Sequence, residues 1–285
     1  MKDYEIVEKE VIAPKVTRFE IYAPLIARKR QAGQFVIIRI WEGGERIPLT
    51  IADANPEQGT ITLISQSVGK TTYQLADMQV GQRLLDVAGP LGAPTHIEKV
   101  GTVVCIGGGV GIAPLYPITQ AMRNAGNHII TILGARSRDL FILEKEMRGV
   151  SDEIIMTTDD GSYGEKGFVT TALKKLIDEG RQIDQVIAIG PAIMMKMVSL
   201  LTLDYNIPTL VSLNTIMVDG TGMCGGCRIS IDGKIKFVCV DGPEFNGHHV
   251  NWDEMLKRMA TYKEHECKAL EEYLKSKKEA EVTEQ

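Results

Sequence analysis

Three cysteines and an aspartate lie within residues 219–239 and form the most chemically specific stretch of the chain. Cys224 and Cys227 bracket two glycines, which let both thiolates turn toward one point without side chains in the way. Cys239 returns after a run that predicts a hairpin with Asp232 and Gly233 at its turn. Three soft sulfur ligands that converge in this way suit an iron–sulfur cluster or zinc.

The fourth ligand of this motif is open from the residues alone. Plant-type [2Fe–2S] sites have the spacing C-x4-C-x2-C…C, and Asp219 stands where the first cysteine belongs. Asp219 is therefore either the fourth ligand or a residue that caps a turn. Cys267 is another possible ligand, but its place near the apolar stripe of a predicted helix over 251–277 favours packing. Zinc held by the same side chains is the alternative to a cluster.

Composition bounds the class of protein. The 285 residues, 44% of them apolar and 24% charged, leave room for two or three small domains. A formal net charge of −5 argues against nucleic acid as the main partner. No apolar run is long enough for a membrane span, and the acidic N-terminus does not resemble a signal peptide. Five cysteines, three of them in one group, favour reduced thiols and a cytoplasmic location.

The first hundred residues contain many short strand patterns separated by turn residues. Strands are predicted over 34–40, 61–65 and 81–87, besides shorter ones before residue 24, and together they predict a small antiparallel barrel. Two loops in this region suit a phosphate group. One contains Arg46 and a hydroxyl around a rigid proline, and the other, Gly69–Thr72, precedes a short helix whose free N–H groups attract an anion. Taken alone, each loop is more typical of an ordinary barrel surface than of a phosphate site.

Residues 102–213 alternate strand and helix patterns, which predicts a doubly wound parallel sheet. A glycine-rich segment, 107–111, follows the first of these strands and precedes a helix, an arrangement that places a diphosphate on a helix N-terminus. Ligands of such sheets bind outside the carboxyl ends of the strands. The residues expected there are Gly108, Gly109, Gly111, Ala135, Arg136, Asp159, Asp160, Gly190 and Pro191.

The choice between the two nicotinamide nucleotides is also open at this level. Arg136 and Arg138 suit the 2′-phosphate of NADP, because guanidinium groups match phosphate geometry. Asp159 and Asp160 favour the unphosphorylated ribose of NAD instead. Both arginines are explained equally well as solvated surface charges.

The order of motifs resembles that of the ferredoxin reductase superfamily. AGQFV at 32–36, RIPLT at 46–50, GKTT at 69–72, DVAGPLG at 86–92 and the glycine loop at 107–114 match its FAD and nicotinamide domains. RIPLT has proline where that family has an aromatic residue, and its hydroxyl comes one position later. The FAD contacts that the resemblance implies are Arg46, Pro48, Leu49, Thr50, Gly69, Thr71 and Thr72.

With the cysteine motif included, nearly the whole chain resembles the electron-transfer subunit of dihydroorotate dehydrogenase. It resembles still more the small subunit of NADH-dependent ferredoxin:NADP⁺ oxidoreductase, whose pattern has an aspartate at the position of Asp219. The metal ligands that this resemblance implies are Asp219, Cys224, Cys227 and Cys239, around a [2Fe–2S] cluster. The other implied cofactors are FAD and NAD(H), with flavin chemistry in place of a catalytic side chain. The implied partner is a larger flavin and [4Fe–4S] subunit that handles ferredoxin and NADP⁺ in a bifurcating heterodimer.

The expected fold class is α/β plus all-β. We expect an antiparallel FAD-binding barrel over 1–96, a doubly wound parallel-sheet NAD-binding domain over 97–216, a [2Fe–2S] lobe over 217–250 and a C-terminal helix and tail over 251–285. We expect the helix to dock on the chain's own domains or on a partner, and residues 275–285 to fray. The alternatives are an electron-transfer subunit of NAD-dependent dihydroorotate dehydrogenase and, in another class, a non-catalytic metal-binding redox regulator.

Overall fold

The computed structural model describes the backbone of residues 2–283 and the side chains of residues 2–279. Its N-terminal part is an antiparallel sheet in the order β1-β2-β5-β4-β3-β6. The strands are β1 (Ile6–Ala13), β2 (Val16–Tyr22), β3 (Phe35–Arg39), β4 (Arg46–Asn55), β5 (Thr60–Gln66) and β6 (Asp86–Leu91), with helices α1 (Pro24–Lys29) and α2 (Lys70–Asp77). A bridge between Glu5 and Arg83 links the two ends of this sheet. The predicted antiparallel sheet is confirmed.

One prediction in this region was wrong in position. The strand expected over 81–87 begins only at Asp86, because residues 81–85 form a turn beside β1. β6 is an edge strand that pairs with β3 alone, so it accommodates Gly89 and Pro90. Pro24 begins α1, directly after the last of the short strands expected before residue 24. The first helical position suits proline, because its N–H group would have no partner there.

The central part is the predicted parallel sheet. Its strands are β7 (Thr102–Gly108), β8 (His128–Ala135), β9 (Glu153–Thr158), β10 (Glu165–Lys166), β11 (Gln185–Ile189) and β12 (Thr209–Ser212), and its helices are α3 (Ile112–Asn124), α4 (Glu144–Gly149), α5 (Val169–Asp178) and α6 (Ala192–Leu203). In the strand order β10-β9-β8-β7-β11-β12, the chain adds strands to one side of β7 up to β10 and then to its other side from β11 onward. Such a reversal opens the crevice in which doubly wound folds bind ligands. Cys105 is fully buried in β7, as expected of a core residue.

The helix predicted over 140–148 begins later than expected. Arg138–Leu140 form a single 3-10 turn, and α4 starts at Glu144. Leu143 adopts a left-handed backbone with a φ of 53°, which interrupts a continuous helix at this point.

The cysteine lobe (residues 217–250) contains the predicted hairpin. β13 (Arg228–Ile231) pairs with β14 (Lys234–Phe237), and Asp232 and Gly233 have φ values of 49° and 72°. Positive φ at both turn residues matches the twist of the two strands. The helix α7 (Val238–Asp241) follows, and β15 (Glu244–Asn246) then pairs antiparallel with β12. The lobe therefore contributes the outermost strand of the parallel sheet.

The C-terminal region is two helices, not the single helix predicted over 251–277. α8 (Trp252–Met259) and α9 (Lys263–Thr283) are separated by a turn at residues 260–262. The predicted cap is present, since the Asn251 side chain accepts a hydrogen bond of 3.1 Å from the Glu254 N–H. The fraying expected over 275–285 is wrong for residues 275–283, which are helical, and residues 284–285 lie outside the described residues.

The C-terminal half of α9 docks on the chain's own barrel. Tyr273 donates a hydrogen bond of 2.6 Å to Asp77, the last residue of α2, and Lys277 forms an ion pair with the same carboxylate. Of the two docking sites expected for the C-terminal helix, this contact places it on the chain itself. Across the described residues, no helix has both the length and the apolar character needed to cross a membrane.

Candidate functional site

The glycine loop after β7 lies directly against the loop after β11. A Cβ atom on Gly111 would lie 2.5 Å from the Ile189 carbonyl oxygen and 2.6 Å from the Gly190 Cα atom. A Cβ atom on Gly108 would lie 3.1 Å from the Pro191 Cδ atom. Only glycine allows the two loops to approach so closely. The structure therefore brings together four predicted site residues that are far apart in sequence, Gly108 and Gly111 in one loop and Gly190 and Pro191 in the other.

Gly109 presents bare backbone on the outer side of this loop. It has a φ of +55°, and no atom lies within 4 Å of the place where a Cβ atom would be. The loop then leads into α3, whose first N–H groups have no carbonyl partner within the helix. A diphosphate fits such a surface, because nothing prevents it from approaching the backbone and the helix N-terminus attracts negative charge.

The remaining predicted nucleotide contacts lie along the same sheet edge. The Asp159 N–H group donates to the Ala135 carbonyl at 3.2 Å, and the Asp160 N–H group donates to the Arg136 carbonyl at 3.2 Å. Gly108 pairs with Gly134, so the end of β8 adjoins the glycine loop. We call the carboxyl ends of β9, β8, β7 and β11 the nucleotide edge. All nine residues predicted to bind the nicotinamide nucleotide lie on it.

The two arginines of the nucleotide edge differ in their surroundings. The Arg138 guanidinium lies 5.1 Å from the centre of the Tyr163 ring, and Tyr163 donates a 2.8 Å hydrogen bond to Glu144. Burial opposes ionisation of Glu144, but hydrogen bonds from Arg148 and Tyr163 lower its pKa overall. Among the described residues, the exposed Arg136 side chain has no such partner. Arg136 is therefore the freer of the two for a ligand, and the role of Tyr163 was missed from sequence.

The RIPLT segment places alternate residues on opposite faces of β4. Ile47 and Leu49 pack against the barrel core. Arg46, Pro48 and Thr50 lie on the other face, since side chains alternate along a strand. A flavin contact through the Leu49 side chain would therefore lie on a different face from the other three.

The N-terminus of α2 adjoins the start of β4. The Thr71 hydroxyl donates a hydrogen bond to the Glu45 carboxylate, so an anionic oxygen already lies beside this helix N-terminus. The Thr72 hydroxyl instead stabilises the loop, because it accepts hydrogen bonds from the N–H groups of Val68 at 2.9 Å and Gly69 at 3.0 Å. A pyrophosphate at this helix N-terminus would take the place of the Glu45 carboxylate on the Thr71 hydroxyl. Glu45 is a contact that the sequence reading missed.

Two of the predicted metal ligands are adjacent in the cysteine lobe. The Cys227 and Cys239 Sγ atoms are 3.2 Å apart, and the two residues are 1% and 2% exposed. This distance is too long for a disulfide bond. Burial, followed by the neighbouring Cys227, raises the pKa of Cys239 to about 12. Two buried, adjacent thiols suit a soft metal centre, which binds them as thiolates and displaces their protons.

The other two predicted ligands belong to the loop that ends at Cys227, the cysteine loop (residues 219–227). Cys224 is exposed, and its Sγ atom accepts a 3.4 Å hydrogen bond from the Gly226 N–H group. The Asp219 carboxylate accepts the N–H groups of Thr221 at 3.0 Å and Cys224 at 2.8 Å. These hydrogen bonds lower the pKa of Asp219. Asp219 therefore caps a turn, although each carboxylate oxygen retains capacity for a further partner.

The four predicted ligands are thus only partly gathered. Within the described part of the chain, no three His, Cys, Asp or Glu side chains are close enough to hold a metal ion together. Cys267 is exposed on α9, so the packing role expected for it is wrong. The turn at 260–262 separates it from the buried face of α8.

The cysteine loop itself lies against the barrel, since a Cβ atom on Gly220 would be 2.6 Å from Leu91 and 2.8 Å from Ile37.

Two family models match the chain at these two sites. The iron–sulfur cluster binding domain of dihydroorotate dehydrogenase B matches residues 214–251, which include the whole cysteine motif. The oxidoreductase NAD-binding domain matches residues 105–200, which include most of the nucleotide edge.

Relatives and solved structures extend the match to nearly the full chain. A Thermotoga maritima protein described as a homolog of the electron transfer subunit of dihydroorotate dehydrogenase B is 52% identical, covering 97% of this chain and 98% of the relative. The corresponding subunit of Desulforamulus reducens is 32% identical over 88% of this chain and 98% of its own. A solved structure of NADH-dependent reduced ferredoxin-NADP oxidoreductase has a chain that is 49% identical, with a TM-score of 0.92 over 96% of this chain and 99% of that one.

Proposed function

This chain belongs to the family of dihydroorotate dehydrogenase B electron-transfer subunits and their homologues, and from this premise we propose that it connects NAD(H) to one-electron carriers. In this proposal it exchanges hydride with NAD(H) through FAD and passes single electrons through a [2Fe–2S] cluster. The physiological complex is an NADH-dependent ferredoxin:NADP⁺ oxidoreductase. The division into residues 1–96, 97–216, 217–250 and 251–285 is part of the same proposal.

The observation that carries the proposal is one hydrophobic cluster to which the barrel, the parallel sheet and the cysteine lobe all contribute. Phe35 and Ile37 of the barrel strand β3 lie in the same buried cluster as Val104 and Ile106 of the parallel sheet. Cys227 and Cys239 belong to that cluster as well. A rigid, dry connection between the three sites suits electron transfer, because the interior is close-packed and holds their separation constant.

Each site has residues that would hold its cofactor. Arg46, Thr50 and Thr71, with the free N–H groups of α2, would hold FAD, while Thr72 keeps the loop in shape. The nucleotide edge would hold the diphosphate and ribose of NAD(H). Asp219, Cys224, Cys227 and Cys239 would hold the cluster. When bound, FAD supplies the conversion between two-electron and one-electron chemistry, which no side chain can supply.

The work of the chain is binding, orientation and exclusion of water. The glycine loop lets the nucleotide approach the crevice between β7 and β11, where the strand order reverses. The barrel and the cysteine loop are in direct contact through Gly220, Leu91 and Ile37. No acid or base is needed for hydride transfer, so we assign no catalytic side chain.

The partner in this proposal is a larger flavin and [4Fe–4S] subunit that handles ferredoxin and NADP⁺. The solved oxidoreductase chain, 49% identical and covered to 99% of its length, supports this assignment. The proposed cellular location is the cytoplasm, where exposed thiols such as Cys224 remain reduced.

A spectrum of the purified chain, followed by anaerobic addition of NADH, tests the function. We expect flavin absorption together with the broad bands of a [2Fe–2S] cluster, then flavin bleaching and a cluster EPR signal after NADH is added. A colourless protein that contains zinc and does not oxidise NADH would support the regulator alternative and refute the proposal.

Dihydroorotate oxidation is the second candidate, because the relatives at 52% and 32% identity carry that description. Copurification of the complex from its source distinguishes the two candidates. A large subunit similar to glutamate synthase supports the ferredoxin:NADP⁺ assignment. A barrel-type dihydroorotate dehydrogenase as the copurified partner would refute it in favour of the second candidate.

The role of Asp219 has its own test. Asp219→Cys replaces an oxygen donor by a thiolate, and ligand identity is one of the means by which a protein sets a cluster's potential. We expect a changed EPR spectrum and a changed reduction potential. If both are the same as in the wild type, Asp219 caps the turn without touching iron.

A further inference from the structure

Two arginine side chains donate hydrogen bonds to consecutive carbonyl groups of the cysteine loop. Arg228 Nη1 lies 3.1 Å from the Gly225 oxygen, and Arg258 Nη2 lies 3.0 Å from the Gly226 oxygen. These two glycines separate Cys224 from Cys227. Two guanidinium groups therefore rest on the short segment between two predicted metal ligands.

Arg258 reaches this loop because α8 is firmly fixed to the lobe. The Asn251 N–H group donates to the Ser230 carbonyl at 3.0 Å, and the Ser230 N–H group donates to the Glu254 carboxylate at 3.2 Å. Met255 is 1% exposed on the same helix. Arg258 lies four residues after Glu254 on α8. Gly226 lies four residues before Ser230 in the chain. The helix therefore runs back along β13 and delivers Arg258 to the loop.

Both guanidinium groups retain their positive charge. Among the side chains that the structure describes, neither arginine forms an ion pair with a carboxylate, and their only hydrogen bonds are those to the glycine carbonyls. By contrast, Lys236 on the neighbouring strand is paired with Asp241 at 3.1 Å. Arginine remains protonated at any pH at which proteins are folded. Two positive charges that form no ion pair with a carboxylate therefore contact the cysteine loop.

We propose that Arg228 and Arg258 raise the reduction potential of the cluster held by this loop. The inference rests on the proposed function, in which the cysteine loop binds an iron–sulfur cluster. Each electron that enters such a centre adds negative charge, which nearby positive charge attracts. Charge and hydrogen bonding around a cluster are two of the means by which a protein sets its potential. The arginines act on the cluster through the loop, as tuning residues and not as ligands.

A structural role is the competing explanation for the same contacts. Side chains that bond to loop carbonyls stabilise the loop, and their loss would then reduce cluster retention. A purely structural role predicts no change in the potential of those clusters that remain bound. The reduction potential, measured by EPR during a redox titration, separates the two explanations.

The experiment compares variants of the full chain carrying both cofactors. Arg228→Met and Arg258→Met each remove one charge, and we expect each to shift the cluster potential to a more negative value. We expect the largest shift in the double variant. Arg258→Lys keeps the charge and should retain most of the wild-type potential. Lys257→Met is the matched control, since Lys257 is an exposed cation one residue away, and it should leave the potential unchanged.

Two distinct failures can be recognised. A wild-type chain without iron and sulfide would refute the proposed function. A wild-type chain with a normal cluster, but with the same potential in the double variant, would overturn the inference and leave the function intact. If Arg258→Met does not retain its cluster, the exposed Arg228 carries the test, and an unchanged potential in Arg228→Met would then overturn the inference.

Discussion

The nucleotide edge and the cysteine loop are built on different principles. Along the nucleotide edge, hydrogen-bonded parallel strands bring four loops together, and all nine predicted residues lie there. In the cysteine lobe, only Cys227 and Cys239 are adjacent, while Cys224 is exposed. The cysteine loop contains Gly220, Gly222 and Gly225, all with positive φ.

The two sites differ in what stabilises their geometry. A sheet edge is fixed by the packing of a core, so it exists before the nucleotide binds. A loop rich in glycine has little intrinsic preference for one shape, because glycine loses more conformational entropy on ordering than other residues do. Ligation of a metal is then part of folding at that site. Variants in the two regions should therefore have separable effects.

The largest expected effect is the loss of the cluster in Cys227→Ser. Cys227 is 1% exposed and lies 3.2 Å from the other buried thiol, so its loss removes the centre of the ligand set. We expect cluster absorption and EPR signals to disappear while NADH still bleaches the flavin. Cys267→Ser is the control, because Cys267 is exposed on α9, and it should retain the cluster. Loss of NADH-dependent flavin reduction in Cys227→Ser would show that the two regions are not independent.

The converse change is Gly111→Ala at the nucleotide edge. The added Cβ atom would lie 2.5 Å from a backbone oxygen of β11, so the glycine loop must move. We expect stability to fall by about 1–3 kcal/mol, as in other overpacked sites, and NADH binding to weaken while the cluster remains. Gly149→Ala is the control, since no atom lies within 4 Å of its Cβ position. Equal NADH titrations for the two variants would contradict the assignment of the loop.

Glu244 tests the junction between the two regions. It lies on β15, the strand that the lobe adds to the sheet, and Thr95 donates a 2.6 Å hydrogen bond to its carboxylate. Burial raises the pKa of Glu244 to about 7. A raised pKa means that the folded protein binds the proton more tightly than the unfolded chain. The stabilisation is complete below the ordinary pKa of about 4.3 and is lost as the pH rises through about 7.

Glu244→Gln should therefore remove this pH dependence. We expect the variant to be more stable than the wild type at pH 8, by about 1–3 kcal/mol, and to differ little from it at pH 4.5. Thermal unfolding midpoints of the two proteins, measured in parallel between pH 4.5 and pH 8, test this. Parallel curves across that range would mean that folding does not raise the pKa of Glu244.

Sequence patterns predicted the sheet edge well because its rule is local. A buried strand followed by glycines or small polar residues places those residues at the carboxyl end, and the parallel order of the strands does the rest. The four loops at 107, 134, 157 and 190 were placed together on this basis. The family resemblance then identified their ligand, which the residue types alone left open.

The cysteine lobe was harder to predict because its contacts span long separations. Nothing near Gly226 in sequence indicates that Arg258 reaches its carbonyl. Outside the lobe, nothing near Asp77 in sequence indicates that Tyr273 donates a hydrogen bond to its carboxylate. The spacing of the cysteines was visible, but their orientation depends on loop backbone conformations that glycine leaves undetermined. The turn that divides the C-terminal helices was likewise hidden, because residues 260–262 contain neither glycine nor proline.

The smallest expected effect comes from the contact between α9 and α2, which lies outside both regions. Burial opposes ionisation of Asp77, but hydrogen bonds from Lys277 and Tyr273 lower its pKa overall. This stabilisation is present above the ordinary carboxyl pKa and is lost as the pH falls through the lowered value. The Lys277 and Asp77 side chains are 41% and 37% exposed, so water and salt screen the ion pair. Asp77→Asn should therefore cost only about 0.5–1 kcal/mol at pH 7.

Salt dependence makes this prediction specific. We expect the thermal midpoint of Asp77→Asn to lie below that of the wild type at low ionic strength and to approach it at high ionic strength. Lys275→Met, an exposed cation on the same helix, should behave like the wild type under both conditions. Because α9 touches neither the nucleotide edge nor the cysteine pair through this contact, the NADH and cluster signals should not change. A change in either signal would mean that the barrel, held by α9, takes part in positioning the other two sites.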